Sequence, residues 1–169
     1  MAQLLQMPDL SDEERQEYVR TILNSGQTLL SLLNDILDLS KVEAGKVELE
    51  RIDFTPQQLI AETVRLFADT AQRKQLPVTV SWNGPAQHYL ADAVRIRQML
   101  SNLVSNAIKF TDHGEIRIEG REVSRDDHGA LLEFAVIDSG IGIPEDKQAL
   151  LFQPFSQADG STTRKYGGT

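Results

Sequence analysis

Asn102, Asn106 and Lys109 have side chains and spacing that could do chemistry. They fall at i, i+4 and i+7. On a helix they share one face, beside an apolar stripe of Ile96, Met99, Leu100, Leu103, Val104, Ala107 and Ile108. An amide oxygen is a hard ligand suited to Mg2+, and an ammonium suits phosphate. Further along, Asp138-Ser-Gly-Ile-Gly142 follows an apolar run. A carboxylate at a strand end can accept a hydrogen bond from an amino group such as that of adenine, and glycines let backbone approach a flat ring closely. Leu151-Phe152-Gln-Pro154-Phe155 offers two aromatics around a proline, able to latch a lid. Arg164-Lys-Tyr-Gly167-Gly168 sets cations beside paired glycines, a combination that meets polyphosphate. Each feature also has a plain structural reading: a solvated helix face, a strand-to-helix turn, a loop held by two core phenylalanines.

These residues need elements to position them. Asp92 starts the helix that carries the asparagines, which ends near Thr111, and Gly114 marks a turn. Strands over 115–123 and 130–137, joined by the hairpin turn Asp126-Asp-His-Gly129, lead to Asp138, and Pro144 opens a short helix to Phe152. Upstream, Ser11 and Glu14 form a capping box for a long helix that reaches about Ala44, where Gly45 stops it. Its seam of Val19, Ile22, Gly26, Leu29, Leu33, Ile36 and Ser40 alternates gaps of three and four, with Leu23, Leu30 and Leu37 as a flanking row. That heptad pattern calls for partner helices. Residues 1–7 read as the end of another helix, stopped by Pro8. Residues 45–54 alternate as a strand, and Thr55-Pro-Gln-Gln58 reads as a second capping box. The helix it opens turns Leu59, Ile60, Val64, Leu66, Phe67 and Ala71 inward and ends before Pro77; short strands follow at 78–82 and 88–90. The fold class is therefore α+β, with a boundary near Gly45 between a helical segment, 1–45, and a mixed domain, 46–169.

Composition narrows the chemistry. Of 169 residues, 40% are hydrophobic and 25% charged, as in a globular domain. With no cysteine, a disulfide framework, a thiolate metal site and cysteine catalysis are excluded. A net charge of −8 argues against a general nucleic-acid binder, although a local site of amides, a few cations and a metal can still hold ATP. No stretch approaches the roughly 18 apolar residues of a spanning helix. The start Met1-Ala-Gln-Leu-Leu5 lacks the basic region of a signal peptide, so the chain is cytosolic in character.

The order and spacing of the segments resemble a known family. Asn102-Leu-Val-Ser-Asn106-Ala-Ile-Lys109-Phe110-Thr111, then Asp138 to Pro144, then Leu151-Phe152 with Pro154-Phe155, then Tyr166-Gly-Gly-Thr169 are similar to the N box, first glycine box, F box and beginning of the second glycine box of sensor histidine kinases, most of all the hybrid type. Residues 32–45 resemble the end of that family's dimerisation helices.

The resemblance implies a dimerisation helix followed by an α/β sandwich, a mixed sheet covered by helices on one face. It is not a P-loop fold, and GxxxxGK[ST] is absent. It implies ATP and Mg2+ as cofactors. Nucleotide contacts would come from Asn102, Asn106, Lys109, Asp138, Gly140, Gly142, Ile143, Phe152, Phe155, Arg164, Gly167, Gly168 and Thr169, with Asn106 on the metal and Asp138 on the adenine amino group. It implies transfer of the ATP γ-phosphoryl group to a histidine, a homodimer through the long helix, and a response regulator or receiver domain as partner. A parent protein in the inner membrane of a bacterium would hold this portion in the cytoplasm, touching the membrane only through other segments.

Two departures stand out. The family's acceptor histidine lies in a segment that none of His88, His113 and His128 matches, so no acceptor is assigned. The second glycine box breaks off at Thr169, so a C-terminally truncated domain that does not phosphorylate itself is expected. Two other readings are a non-catalytic nucleotide-binding or dimerisation module, and a related gyrase-type ATPase. The second would need a glutamate base where Asn102 stands.

Overall fold

A computed structural model of the chain describes residues 10–46, 48–85 and 87–149. It divides into two compact units, Met1–Glu48 and Leu49–Thr169.

The first unit is built on α1 (Asp12–Glu43). Its start follows from the capping box: Ser11 Oγ accepts the Glu14 N–H at 3.3 Å, and Glu14 Oε2 accepts the Ser11 N–H at 3.0 Å. The Ser11 hydroxyl also donates to Glu14 Oε2 at 2.8 Å, and this bond first, with that from the Ser11 N–H, holds the Glu14 carboxyl below its ordinary range. Three acidic residues in the first turn and Lys41 in the last complement the helix dipole. Gly45, at φ 64°, ends the run. Val19, Leu29, Leu33 and Ile36 of the seam, and Leu23, Leu30 and Leu37 of the flanking row, are exposed in the single chain. An apolar ridge of this length is what a helix presents when its stability comes from packing against other helices. No helix among the described residues is long and apolar enough to cross a membrane.

The second unit runs β1 (Ile52–Phe54), α2 (Pro56–Arg73), β2 (Val78–Asn83), β3 (Tyr89–Ala91), α3 (Ala93–Phe110), β4 (Ile116–Asp126), β5 (Gly129–Asp138) and α4 (Glu145–Gln148). β1 and β3 form a two-stranded antiparallel ribbon, and β2, β4 and β5 form a mixed sheet in that order. β2 lies parallel to β4, pairing Val78 with Ile116; β5 lies antiparallel to β4, pairing Asp138 with Ile116. Along β4, Ile116, Ile118 and Gly120 are buried while Arg117, Glu119 and Arg121 face solvent, so the helices cover one face of the sheet. Against that face α2 contributes Leu59, Ile60, Thr63 and Ala71, and α3 contributes Leu100, Val104, Ala107 and Ile108.

The structure corrects several expectations. The strand expected over 45–54 shrinks to Ile52–Phe54, because its partner β3 is itself only three residues long. Thr55 is the N-cap of α2 but makes no side-chain capping bond; Gln58 donates instead to Glu62 Oε1 at 2.8 Å, and Pro56 alone presets the first turn. Leu66 is 68% exposed, and Thr63 takes an inward position, its hydroxyl satisfied by the Leu59 carbonyl at 2.8 Å. On α3 the buried stripe is narrower than expected, leaving Met99 59% and Leu103 48% exposed.

Candidate functional site

The topology decides which residues meet. Because β5 runs antiparallel to β4, its last residue returns to the start of β4, just past the end of α3. Asp138 therefore lands beside the C-terminal turn of α3. There Ile141 N–H donates to the Phe110 carbonyl at 3.3 Å, and the Thr111 hydroxyl reaches Asp138 Oδ1 at 3.5 Å. Gly140 N–H also donates to Asp138 Oδ1, at 2.8 Å. Both bonds go to Oδ1, so Oδ2 is committed to neither and remains for a donor from outside the loop.

The two glycines of the loop are required for different reasons. A Cβ on Gly140 would sit 2.5 Å from the Phe110 carbonyl oxygen, 2.7 Å from Asp138 Oδ1 and 2.9 Å from Thr111 Oγ1. Gly142 has open space around it but a φ of 66°, which side chains resist. Next to the loop, Ser139 Oγ accepts the Glu115 N–H at 3.0 Å, while Ser139 N–H donates to the Glu115 carbonyl at 3.3 Å. This ties the strand end to the turn after α3.

Asn106 and Asn102 are exposed on α3, one and two turns before Phe110. Lys109 Nζ lies 5.1 Å from the centre of the Phe110 ring. Ile143 is 48% exposed, and its carbonyl accepts from Gln148 Nε2 at 3.2 Å. Asn106, Lys109, Asp138 and Gly140 thus gather at one end of the helix-covered sheet, with Gly142 and Ile143 following. Phe152, Phe155, Arg164, Gly167, Gly168 and Thr169 lie outside the described residues. Sequence reasoning did not single out Thr111 or Ser139 as site residues. The only local signal was a small hydroxyl residue beside each key segment; their roles come from contacts 24 to 27 residues apart.

A cavity of about 160 Å³ beside the site is lined by Glu115, Arg117, Ile137, Asp138 and Ser139. A larger one, of about 280 Å³, lies at the opposite end of α3 among Ile52, Phe54, Leu59, Val94 and Arg97, away from the gathered chemistry. Neither volume encloses a ligand as large as a nucleotide. Among the described residues no group of three or more His, Cys, Asp or Glu side chains could hold a metal ion. One amide oxygen at Asn106 suits Mg2+ that brings phosphate oxygens as its other ligands.

None of the three histidines stands on α1. His88 precedes β3 with Nδ1 2.9 Å from Asp53 Oδ1; His113 lies in the turn after α3, and His128 in the hairpin turn after β4.

The model of the Histidine kinase-, DNA gyrase B-, and HSP90-like ATPase family matches residues 91–169, and that of the His Kinase A (phospho-acceptor) domain matches residues 1–45. Autoinducer 2 sensor kinase/phosphatase LuxQ of Vibrio cholerae serotype O1 is 41% identical over 100% of this chain and 20% of its own length. Signal transduction histidine-protein kinase BarA of Escherichia coli (strain K12) is 40% identical over 92% of this chain and 17% of its own. The crystal structure of full-length ShkA in complex with AMPPNP superposes with a TM-score of 0.74 at 34% identity, covering 96% of this chain and 34% of that one. The chain thus joins in sequence a helix with an exposed apolar seam and an α+β unit that carries an asparagine face and a glycine loop. The chain belongs to the sensor histidine kinase family. It spans about a fifth of the length of the curated relatives it matches.

Proposed function

We propose that this chain is the nucleotide-binding and dimerisation core of a sensor kinase, which binds ATP with Mg2+ and supplies its γ-phosphoryl group to a histidine. The observation that carries the reading is the join between the glycine loop and the end of α3. The Ile141–Phe110 bond seats the loop on the helix end, while the Gly140 N–H and the Thr111 hydroxyl fix one Asp138 carboxylate oxygen and leave the other for an amino group. In this reading Asp138 Oδ2 accepts from the adenine amino group and Gly140 lets the ring approach. Asn102, Asn106 and Lys109 face the phosphates, with Mg2+ held by Asn106. Gly142 and Ile143 shape the turn after the adenine site. Phe152, Phe155, Arg164, Gly167, Gly168 and Thr169 would complete the site from the lid side.

The metal would neutralise phosphate charge; the chain itself binds and orients the nucleotide. In the transfer, an imidazole nitrogen forms a bond to the γ-phosphorus as the bond to the ADP oxygen breaks, and ADP leaves with that electron pair. The receiving histidine is none of His88, His113 and His128, whose loop positions differ from a helix-borne acceptor. Residues 1–45 would serve dimerisation through the exposed seam of α1, and residues 46–169 nucleotide binding. ShkA was crystallised with AMPPNP, and the histidine kinase ThkA with the response regulator protein TrrA (TM-score 0.64, 28% identity, 89% of this chain and 43% of that one). Both support a nucleotide and a response regulator or receiver domain as partners here. ATP as donor puts the working site on the cytoplasmic side of any membrane that carries the parent protein.

Calorimetric titration with ADP, with and without Mg2+, tests the reading. Metal-dependent binding that Asp138→Asn strongly weakens, and whose metal dependence Asn106→Ala removes, is the expected result. A sample folded by circular dichroism that binds no ADP under either condition overturns it.

A further inference from the structure

The C-terminal turn of α3 has a complete and unusual set of partners. The last four carbonyls of a helix have no N–H donor within it. Here Ala107 C=O accepts the Thr111 N–H at 3.1 Å, and Phe110 C=O accepts the Ile141 N–H at 3.3 Å. The two between them go to one side chain: Lys74 Nζ donates to the Ile108 carbonyl at 2.7 Å and to the Lys109 carbonyl at 3.2 Å. It reaches the Thr111 carbonyl at 3.2 Å as well, and lies 3.8 Å from Asp112 Oδ1. An ammonium thus sits at the negative end of the α3 dipole, bonded to three carbonyls.

The backbone that carries Lys74 is pinned. Lys74 is the C-cap of α2, and a Schellman turn follows: Gln75 N–H donates to the Gln72 carbonyl at 2.9 Å and Leu76 N–H to the Ala71 carbonyl at 3.0 Å. Gln75 takes the left-handed conformation, φ 57°, that this turn requires. Leu76 and Ala71 meet in the core. The ammonium is therefore anchored to the hydrophobic core through its own helix end.

We propose that Lys74 is a positioning residue of the nucleotide site: by clamping the Ile108, Lys109 and Thr111 carbonyls it fixes the turn that presents Asn106 and Lys109 to the phosphates and the Phe110 carbonyl to the glycine loop. The proposal rests on the nucleotide reading above. Lys74 touches no ligand in it and acts only through α3 and the loop.

The test uses this chain with Lys74→Met, which keeps the stem and removes the donors, with Lys74→Arg, and with Arg73→Met as control. Arg73 is exposed and, among the described residues, pairs within α2, to Asp69 at 3.0 Å. Amide hydrogen exchange is read at Thr111 and Ile141, with Ile118 of the buried sheet as internal reference. Binding of Mg–ADP is read by calorimetry below the thermal midpoint. Loss of charge-assisted bonds from the turn corresponds to about a tenfold change in its opening equilibrium. In Lys74→Met, exchange at Thr111 and Ile141 accelerates about tenfold while Ile118 is unchanged, and Mg–ADP binds about tenfold more weakly. Lys74→Arg restores most of both, and Arg73→Met alters neither.

Unchanged exchange at Ile141 overturns the proposal. So does faster exchange at Ile118 to the same degree, which is global destabilisation, and so does local loosening with unchanged affinity. If the wild-type chain binds no Mg–ADP, the nucleotide reading fails and the positioning role with it, while the exchange arm still decides whether the clamp exists. Should Lys74→Met not fold, Lys74→Gln, which keeps neutral donors, is read in the same way.

Discussion

Adding a single methyl group at Gly140 tests the geometry of the site directly. The new carbon would lie 2.5 Å from the Phe110 carbonyl oxygen, 2.7 Å from Asp138 Oδ1 and 2.9 Å from Thr111 Oγ1. Comfortable contact distances are about 3.5 Å, so the loop must retreat by about 1 Å from all three at once. That movement breaks the Ile141–Phe110 bond, already 3.3 Å long, and strains the 2.8 Å bond from Gly140 N–H to the Asp138 carboxylate. One neutral and one charge-assisted hydrogen bond together are worth about 3 kcal/mol, or about a hundredfold in affinity. The comparison variant is Gly142→Ala, which meets no atom within 4 Å and only strains a φ of 66°. It should cost about 1 kcal/mol, or about fivefold, and Gly142→Asn less, because asparagine tolerates the left-handed region. The assay is calorimetric titration of Mg–ADP against each variant, with circular dichroism to confirm the fold. The ordering matters as much as the size. A Gly140→Ala chain that binds within threefold of wild type, or better than Gly142→Ala, refutes the placement of the glycine loop against α3.

Three further outcomes follow from other parts of the structure. Gln75→Gly relieves a left-handed non-glycine residue at φ 57° and should stabilise by about 1 kcal/mol, read as a higher thermal midpoint; a lower midpoint contradicts the Schellman turn. At the far end of the hairpin, Arg125 first and Tyr89 second hold the Glu122 carboxyl at about 2, below its ordinary 4.5. A lowered carboxyl adds stability above its unfolded value and loses it as pH falls through the folded one, so the advantage of wild type over Glu122→Gln should be full near neutrality and vanish between about pH 4.5 and pH 2. An advantage that survives below pH 2 in acid-denaturation curves would refute that cause. Leu33→Asp with Ile36→Asp places charges on two exposed seam positions of α1 and should shift the chain toward monomer in sedimentation equilibrium; an unchanged molecular weight, if wild type is dimeric, removes the seam from the interface.

Legibility in the sequence tracked the range of the interactions involved. The Ser11–Glu14 box, the Asp92 cap with its bond to the Arg95 N–H, and the turn in which Asp126 Oδ1 accepts from His128 and Gly129 N–H all depend on neighbours within three residues, and all three elements form where the pattern put them. The helical face of Asn102, Asn106 and Lys109 was legible for the same reason: helix geometry alone fixes it. Burial was harder. Met99, Leu103 and Leu66 are apolar and helically spaced, yet whether a flanking position is covered depends on what lies opposite, and among the described residues these three stay exposed. The Thr55 box failed because Gln58 had a better partner in Glu62, one turn ahead. Thr111 and Lys74 were out of reach because their partners are 27 and 34 to 37 residues away, across elements whose juxtaposition only the fold decides.

The polar groups of the site divide into those that hold it together and those left for a ligand, and this division predicts how substitutions combine. The Thr111 side chain is fully buried, and its hydroxyl reaches only as far as Asp138 Oδ1, so it acts on a ligand through that carboxylate. Thr111→Val keeps the shape, removes the hydroxyl, and should weaken Mg–ADP binding by about fivefold, the worth of one ordinary hydrogen bond. Asp138→Asn keeps an amide oxygen for the Gly140 N–H but puts an NH2 donor where Oδ2 stood, and should abolish most of the adenine contribution. If Thr111 acts only by orienting Asp138, then adding Thr111→Val to Asp138→Asn should cost almost nothing further, and a double-mutant cycle on residual affinity should return a coupling close to the whole Thr111 effect. Additive losses would mean that Thr111 meets the ligand by another route, and the reading of Asp138 as a carboxylate oriented from within the fold would have to be given up.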